Sequence, residues 1–170
     1  MTQSRVPQAR STAAAALGLA GWLALCFVVA AIGARASINA GSFYATLVRP
    51  SWAPPASLFG PTWTLLYTLM AIAAWLVWRR AGFGAGRLAL TLFVLQLNAN
   101  AAWSWLFFSL HSGLWSLLDI SLLWLLIVAT IVQFRRLEPP AALLLVPYIG
   151  WVSFALALNF AVWRLNPALL

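Results

Sequence analysis

The sequence predicts an all-α integral membrane protein, a five-transmembrane-helix bundle, and its composition and the length of its apolar runs are the two observations that predict it. Hydrophobic residues make up 64% of the chain and charged residues 7%, and the mean hydropathy is +0.94. A soluble domain carries roughly a quarter charged residues, so this chain lacks the side chains for a water-facing surface. Its apolar residues form long unbroken runs rather than the alternation of a β-barrel, which favours helices.

Five runs are long enough to cross a bilayer, because a core of about 30 Å requires roughly 20 helical residues. The predicted spans are residues 13–34, 59–78, 88–110, 112–134 and 141–163. They form a single domain over residues 1–170. The first run also resembles a signal peptide, since Ala34-Arg35-Ala36 is similar to a cleavage site. Its apolar stretch exceeds the roughly 7–15 residues of such a signal, so we predict a retained helix.

The basic residues indicate membrane topology rather than nucleic-acid binding. All ten are arginine, and they lie at the ends of the runs instead of in one patch. With five spans, one side holds Arg5, Arg10, Arg79, Arg80, Arg87, Arg135 and Arg136, and the other holds Arg35, Arg49 and Arg164. Because basic residues are retained on the cytoplasmic side, we predict a cytoplasmic N-terminus in a bacterial cell membrane.

The residue types of conventional catalysis are nearly absent. Cys26 is the only cysteine and His111 the only histidine, and Asp119 is the one carboxylate inside a predicted span. The sequence therefore predicts no disulfide, no metal site and no acid–base pair. Asp119 is either a partner for a buried donor or a functional charge, and the sequence leaves both interpretations open.

Three predicted spans each carry a stripe of aromatic and amide side chains at helical spacing. The stripes are Trp63, Tyr67, Met70 and Ala74; Gln96, Asn100, Trp103 and Phe107; and Tyr148, Trp151, Ala155 and Asn159. Amides cost free energy in hydrocarbon unless they are hydrogen-bonded, so Gln96, Asn100 and Asn159 are expected to face the bundle interior. Such stripes either line a cavity for a flat, mostly apolar ligand or only pack the helices together.

The connection between the first two spans is rich in proline and hydrophobic residues. Its segment Arg49-Pro50-Ser51-Trp52-Ala53-Pro54-Pro55 cannot be helical throughout, and Phe59-Gly60-Pro61 leads directly into the second span. A segment this apolar is not expected to lie free in water. We therefore predict that residues 35–58 fold over one end of the bundle as a lid.

Motifs in a fixed order run through the lid and the spans. The lid and second span contain Phe43-Tyr44-x-x-Leu47-x-Arg49-Pro50-Ser51-Trp52-x-Pro54-Pro55 and Gly60-Pro61-x-Trp63-Thr64-x-Leu66-Tyr67. The later spans contain Gln96-Leu97-x-x-Asn100-x-x-Trp103-Ser104, Phe107-Phe108, Trp115, Asp119, Pro147-Tyr148-x-x-Trp151-x-x-Phe154-Ala155-x-x-Leu158-Asn159 and Val162-Trp163-Arg164. Over about residues 15–166 these motifs resemble the TspO/MBR family, the bacterial tryptophan-rich sensory proteins and the mitochondrial translocator protein, or peripheral benzodiazepine receptor.

The resemblance implies a homodimeric five-helix bundle with a cavity under the lid. This cavity would bind protoporphyrin IX, haem and other hydrophobic ligands, with no required cofactor. Carried over to this sequence, the ligand-binding residues are Trp52, Trp63, Tyr67, Asn100, Trp103, Trp115, Trp151, Phe154 and Ala155. The resemblance implies a receptor or sensor that regulates tetrapyrrole traffic or a stress response. The alternatives are a porphyrin transporter and a light- and oxygen-dependent porphyrin-degrading enzyme that uses Trp63 and Trp151.

Two positions depart from the family pattern. Many relatives have tryptophan where this chain has Phe43, so the lid is expected to sit differently. The sterol motif of animal members consists of an aliphatic residue, a tyrosine and a basic residue. Leu158, Phe160 and Arg164 occupy these positions here, with phenylalanine in place of the tyrosine. Because that motif is weak even when intact, we expect no dedicated sterol site.

Overall fold

A computed structural model describes residues 11–38 and 40–170, and this part of the chain is helical with no β-strand. The helices are α1 (Thr12–Ala36), α2 (Ala40–Thr46), α3 (Phe59–Ala85), α4 (Arg87–Ser104), α5 (Gly113–Leu137), α6 (Pro139–Leu144) and α7 (Val146–Leu165). A 3₁₀ turn, Ala56–Leu58, precedes α3, and a π-helical turn, Trp105–Ser109, follows α4. Arg5 and Arg10, which contribute to the predicted topology, lie outside the described residues.

Local sequence explains where several helices begin and end. The Ser11 hydroxyl accepts a hydrogen bond from the Ala14 amide at 3.3 Å, which caps the start of α1. Pro139 and Pro140 occupy the first turn of α6, where proline's missing N–H costs nothing. Near the end of α3, Gly82 adopts a φ of 62° and breaks the helix, a conformation open to glycine because it has no Cβ.

Four helical stretches are long and apolar enough to cross a membrane: Thr12–Ala36, Ala56–Ala85, Gly113–Leu137 and Pro139–Leu165. The third predicted span, residues 88–110, falls on α4 and the π turn, which are not among them. The expected count of five spans is therefore not matched exactly. The reason is compositional, since α4 has 18 residues and includes Arg87 and the amides Gln96, Asn98 and Asn100. The four stretches make the chain an integral membrane protein.

The helices pack so that one end of the bundle carries the lid. α1 packs against α3 and α4, and α5 packs against α4 and α7. At this end α1 finishes, α3 begins and the π turn leads into α5, and the Ser109 hydroxyl donates to the Ala36 carbonyl at 3.2 Å. The lid is partly helical, because α1 continues through Ala36 and α2 follows it. Its proline-rich part, residues 47–55, is not helical.

The start of α5 approaches α7 closely, and Gly113 makes this possible. A Cβ at Gly113 would meet the Trp163 ring near its attachment to the backbone, where the ring cannot swing away. We expect Gly113→Ala to lower the free energy of unfolding by about 1–3 kcal/mol, the usual cost of overpacking. Gly150→Ala is the control, because a Cβ there meets nothing within 4 Å. Equal unfolding free energies for the two variants in detergent would contradict this prediction.

Candidate functional site

A cavity of about 610 Å³ lies between the lid and helices α1, α3 and α4. Its walls are mostly apolar, with a few neutral polar groups. The walls include Ala30, Ala31, Gly33 and Ala34 from α1, Tyr44 from α2, Trp63, Thr64 and Tyr67 from α3, and Asn100, Trp103 and Ser104 from α4. Small-molecule sites have volumes of roughly 300–1,000 Å³ and this balance of apolar and polar groups, so the cavity suits a sizeable hydrophobic ligand.

A hydrogen-bond network of buried side chains fixes the inner wall of the cavity. The Tyr67 hydroxyl donates to Asn100 Oδ1 at 2.6 Å, and Asn100 Nδ2 donates to the Tyr148 hydroxyl at 3.0 Å. Tyr148 in turn donates to Gln96 Oε1 at 2.7 Å. Each polar group therefore has a partner away from water, and the network joins α3, α4 and α7 at membrane depth.

A second contact between α4 and α7 orients Trp103. Its indole Nε1 donates to Asn159 Oδ1 at 2.9 Å, and its ring stacks on Phe107 at a centroid distance of 5.3 Å. Phe107 lies in the π turn, which widens the last turn of α4. The predicted inward position of the amides is confirmed, because Gln96, Asn100 and Asn159 are 1%, 5% and 2% exposed.

A smaller cavity of about 20 Å³ adjoins the first. The two share the wall residues Trp63, Asn100 and Trp103, and Trp151 and Ala155 from α7 line only the smaller one. Trp63 and Trp151, the two tryptophans of the photochemical hypothesis, therefore both line the smaller cavity, and of the two only Trp63 also lines the large one.

The structure brings together some of the predicted site residues and not others. Trp63, Tyr67, Asn100 and Trp103 line the large cavity, and Trp151 and Ala155 line the small one. Trp52 and Phe154 line neither cavity, and their rings meet edge to face at 5.6 Å, so they join the lid to α7.

Trp115 also lies away from both cavities. It is 63% exposed, because the start of α5 turns its neighbour Ser116 inward and points Trp115 outward. Its position does not support the predicted role in ligand binding.

Two buried polar atoms have no hydrogen-bond partner in the described part of the chain, Asp119 Oδ2 and Trp151 Nε1. For Asp119, the expectation of a buried donor as partner is not met at this oxygen. Trp151 lines the small cavity of about 20 Å³.

The sequence reasoning missed the contribution of α1. Ala30, Gly33, Ala34 and Ser37 form much of one cavity wall, yet none is aromatic or carries an amide. The signal available was their helical spacing, which puts a strip of small residues on one face of the first span. Small side chains leave the space that the rings of α3 and α4 border.

The lid is held at several points. Phe43 stacks on His111 with ring centroids 4.0 Å apart, which ties α2 to the connection before α5. The positions of the sterol motif do not share a face, since Leu158 is buried beneath the lid and Phe160 is 50% exposed.

Comparisons with known proteins identify the family of this chain. The sequence profile of the TspO/MBR family matches residues 22–164. The chain is 44% identical over 156 residues to the Tryptophan-rich protein TspO of Chlorobaculum tepidum, covering 89% of this chain and 97% of that one. It is 41% identical over 150 residues to Protein CrtK of Rhodobacter capsulatus, with coverages of 85% and 92%. It is 39% identical over 126 residues to the Translocator protein of Homo sapiens, with coverages of 73% and 75%. The chain therefore belongs to the TspO/MBR family.

Proposed function

We propose that this protein is a membrane receptor or sensor that binds porphyrins, protoporphyrin IX or haem, in the large cavity and thereby regulates tetrapyrrole traffic or a stress response. The observation that carries the proposal is the cavity of about 610 Å³, bordered by the rings of Trp63 and Trp103. Flat aromatic ligands gain from such rings, since aromatic pairs contribute about 0.5–1.5 kcal/mol beyond the area they bury. No residue lining the cavity in the described chain is charged, which suits a binding site better than acid–base catalysis.

Quenching of tryptophan fluorescence by protoporphyrin IX, titrated in the dark, tests the proposal. We expect wild-type protein to bind saturably, and Trp63→Ala to raise Kd about tenfold through lost ring contact. Trp115→Ala is the matched control, because it removes one indole that lines no cavity. Affinities are compared through the saturation midpoint, since each variant also loses part of the signal. A titration that never saturates, or equal Kd values for the two variants, would sink the proposal.

The proposal also covers membrane topology and assembly. We infer five crossings, with α4 and the π turn forming the third, and a homodimer in a bacterial cell membrane. The exposed arginines Arg79, Arg80, Arg87, Arg135 and Arg136 lie at the end of the bundle opposite the lid, which supports a cytoplasmic position for that end. No dedicated sterol site is part of this proposal. Labelling of single introduced cysteines from either side of the membrane tests the topology.

A further inference from the structure

Arg49, in the lid, is an exposed cation that pairs with neither acidic side chain of the protein. The chain contains two acidic side chains, Asp119 and Glu138. Asp119 lies within α5, and Glu138 follows α5 at the end of the bundle opposite the lid. Neither forms an ion pair with Arg49 within 4.0 Å. No acidic side chain is therefore placed to pair with this guanidinium, which is exposed.

Arg49 contacts the ring of Tyr44, and Tyr44 is the residue that connects this cation to the cavity. The guanidinium carbon lies 4.7 Å from the centroid of the Tyr44 ring, and Tyr44 itself lines the cavity. The ring is fixed in turn, because its hydroxyl donates to the Pro54 carbonyl at 3.4 Å and its edge meets Phe59 at 5.8 Å. A cation–π contact of this kind orients a guanidinium without neutralising its charge.

The backbone on both sides of Arg49 is also restrained. Asn166, which is 5% exposed just beyond α7, accepts a hydrogen bond from the Val48 N–H at 2.9 Å. The Asn166 side-chain amide donates to the Val48 carbonyl at 2.9 Å and to the Val162 carbonyl at 2.8 Å. Pro50 follows Arg49 and limits its backbone further. A single side chain at the end of α7 therefore holds the residue that precedes the cation.

Tyr44 is not the counter-ion of Arg49. Burial raises the pKa of the Tyr44 phenol above its ordinary value, and the nearby Arg49 opposes this shift only in part. The phenol is therefore neutral at physiological pH. The result is a cavity with apolar and neutral polar walls and, in its lid, a cation that contacts one of the wall residues, Tyr44.

We propose that Arg49 recognises a carboxylate on the ligand of the cavity, and that Asn166 is the positioning residue that holds Arg49 in place. The ligand class is a flat apolar ring system that carries a carboxylate, as the propionate side chains of a porphyrin do. Arginine suits this role because its guanidinium pairs with a carboxylate through two parallel hydrogen bonds. This inference rests on the proposed function and adds to it the feature by which the ligand is selected.

The test compares protoporphyrin IX with its dimethyl ester, which has the same ring and no charge. Both are titrated in the dark against full-length protein in lipid nanodiscs. Wild type is expected to bind the acid at least about tenfold more tightly than the ester, because only the acid pairs with Arg49. Arg49→Gln is expected to bring the ratio of the two Kd values close to one by weakening the acid alone. Arg49→Lys is expected to retain part of the preference, since it keeps the charge but not the paired donors.

Arg164→Gln is the matched control, because Arg164 is an exposed arginine in the last turn of α7, at the same end of the bundle. It is expected to leave the ratio unchanged, and an effect as large as that of Arg49→Gln would overturn the proposal in favour of general surface charge. Asn166→Leu is expected to lower the acid preference and leave the affinity for the ester unchanged, and an unaltered ratio would overturn its positioning role. Asn98→Leu, at an exposed amide bonded only to the Val94 carbonyl of its own helix, controls for the substitution itself.

The outcomes separate this inference from the proposed function. Saturable binding of both acid and ester with a ratio that Arg49→Gln does not change would overturn the role of Arg49 and leave porphyrin binding standing. Absence of saturable binding by wild type for both compounds would overturn the proposed function and the inference together.

Discussion

Replacing Ala30 with tryptophan is expected to weaken porphyrin binding about a hundredfold, although the substitution touches no polar group. Ala30 lines the large cavity from α1 and packs against the core of the bundle. An indole at this position occupies space that the ligand needs. If the ligand displaces the indole into the surrounding helices, the overpacking costs about 1–3 kcal/mol of binding free energy. The upper part of that range corresponds to a hundredfold change in Kd. The dark fluorescence titration with protoporphyrin IX measures it.

Ala24→Trp is the matched control for this prediction. Ala24 lies on the same helix, is exposed, and lines neither cavity, so the same change in size falls on the outer surface of the bundle. Its Kd is expected to stay within about twofold of wild type. If Ala30→Trp bound as tightly as Ala24→Trp, the ligand would occupy some place other than the large cavity.

The sequence predicted the inner wall of the cavity well because polar groups at membrane depth have few alternatives. Asn100 and Asn159 cannot face lipid without losing their hydrogen bonds, so their helical positions fix which face of α4 and α7 is inward. Trp63 and Tyr67 follow from the same spacing on α3. Trp63, Tyr67 and Asn100 do line the cavity, and the network through Tyr148 holds the last two. Asn159 lies behind this wall and accepts a hydrogen bond from Trp103.

The α1 wall could not be predicted in the same way. Small apolar residues serve equally to let helices approach closely and to leave space beside them, and a sequence does not distinguish the two. The helical spacing of the strip from Ala30 to Ser37 therefore did not show whether the strip borders a cavity or a neighbouring helix. The choice between packing and cavity depends on where α3 and the lid stand relative to α1.

The positions of Trp115 and the end of α4 depended on details of helix geometry. The π turn at Trp105–Ser109 changes the rotation of the residues that follow, so helical spacing counted along α4 does not extend into α5. His111 then takes a φ of 48° before α5 begins. The expectation that Trp115 binds the ligand came from the resemblance and not from helical spacing, and the structure leaves its side chain exposed.

Replacing Asn100 with leucine is expected to lower the free energy of unfolding by about 2–3 kcal/mol. The change removes the acceptor of the Tyr67 hydroxyl and the donor to the Tyr148 hydroxyl, both of which are buried. A buried polar group left without a partner costs about 1–3 kcal/mol, and Tyr67 bears most of this cost because Tyr148 keeps its bond to Gln96. Unfolding in detergent, followed by circular dichroism, measures the difference.

A second substitution shows whether the unpaired hydroxyl is the cause. Tyr67→Phe in the Asn100→Leu background removes the hydroxyl along with its lost acceptor, and replacing both partners by apolar groups of similar shape is close to neutral. The double variant is therefore expected to recover at least half of the lost stability, while Asn98→Leu, at an exposed position two residues away, loses little. If the double variant were less stable than Asn100→Leu alone, the network would stabilise the bundle through packing of the Tyr67 side chain and not through its hydrogen bond.

The porphyrin affinity of the double variant separates a role of the Tyr67–Asn100 pair in folding from a role in ligand binding. A protein that folds stably but binds weakly would show that the pair serves the ligand as well as the fold.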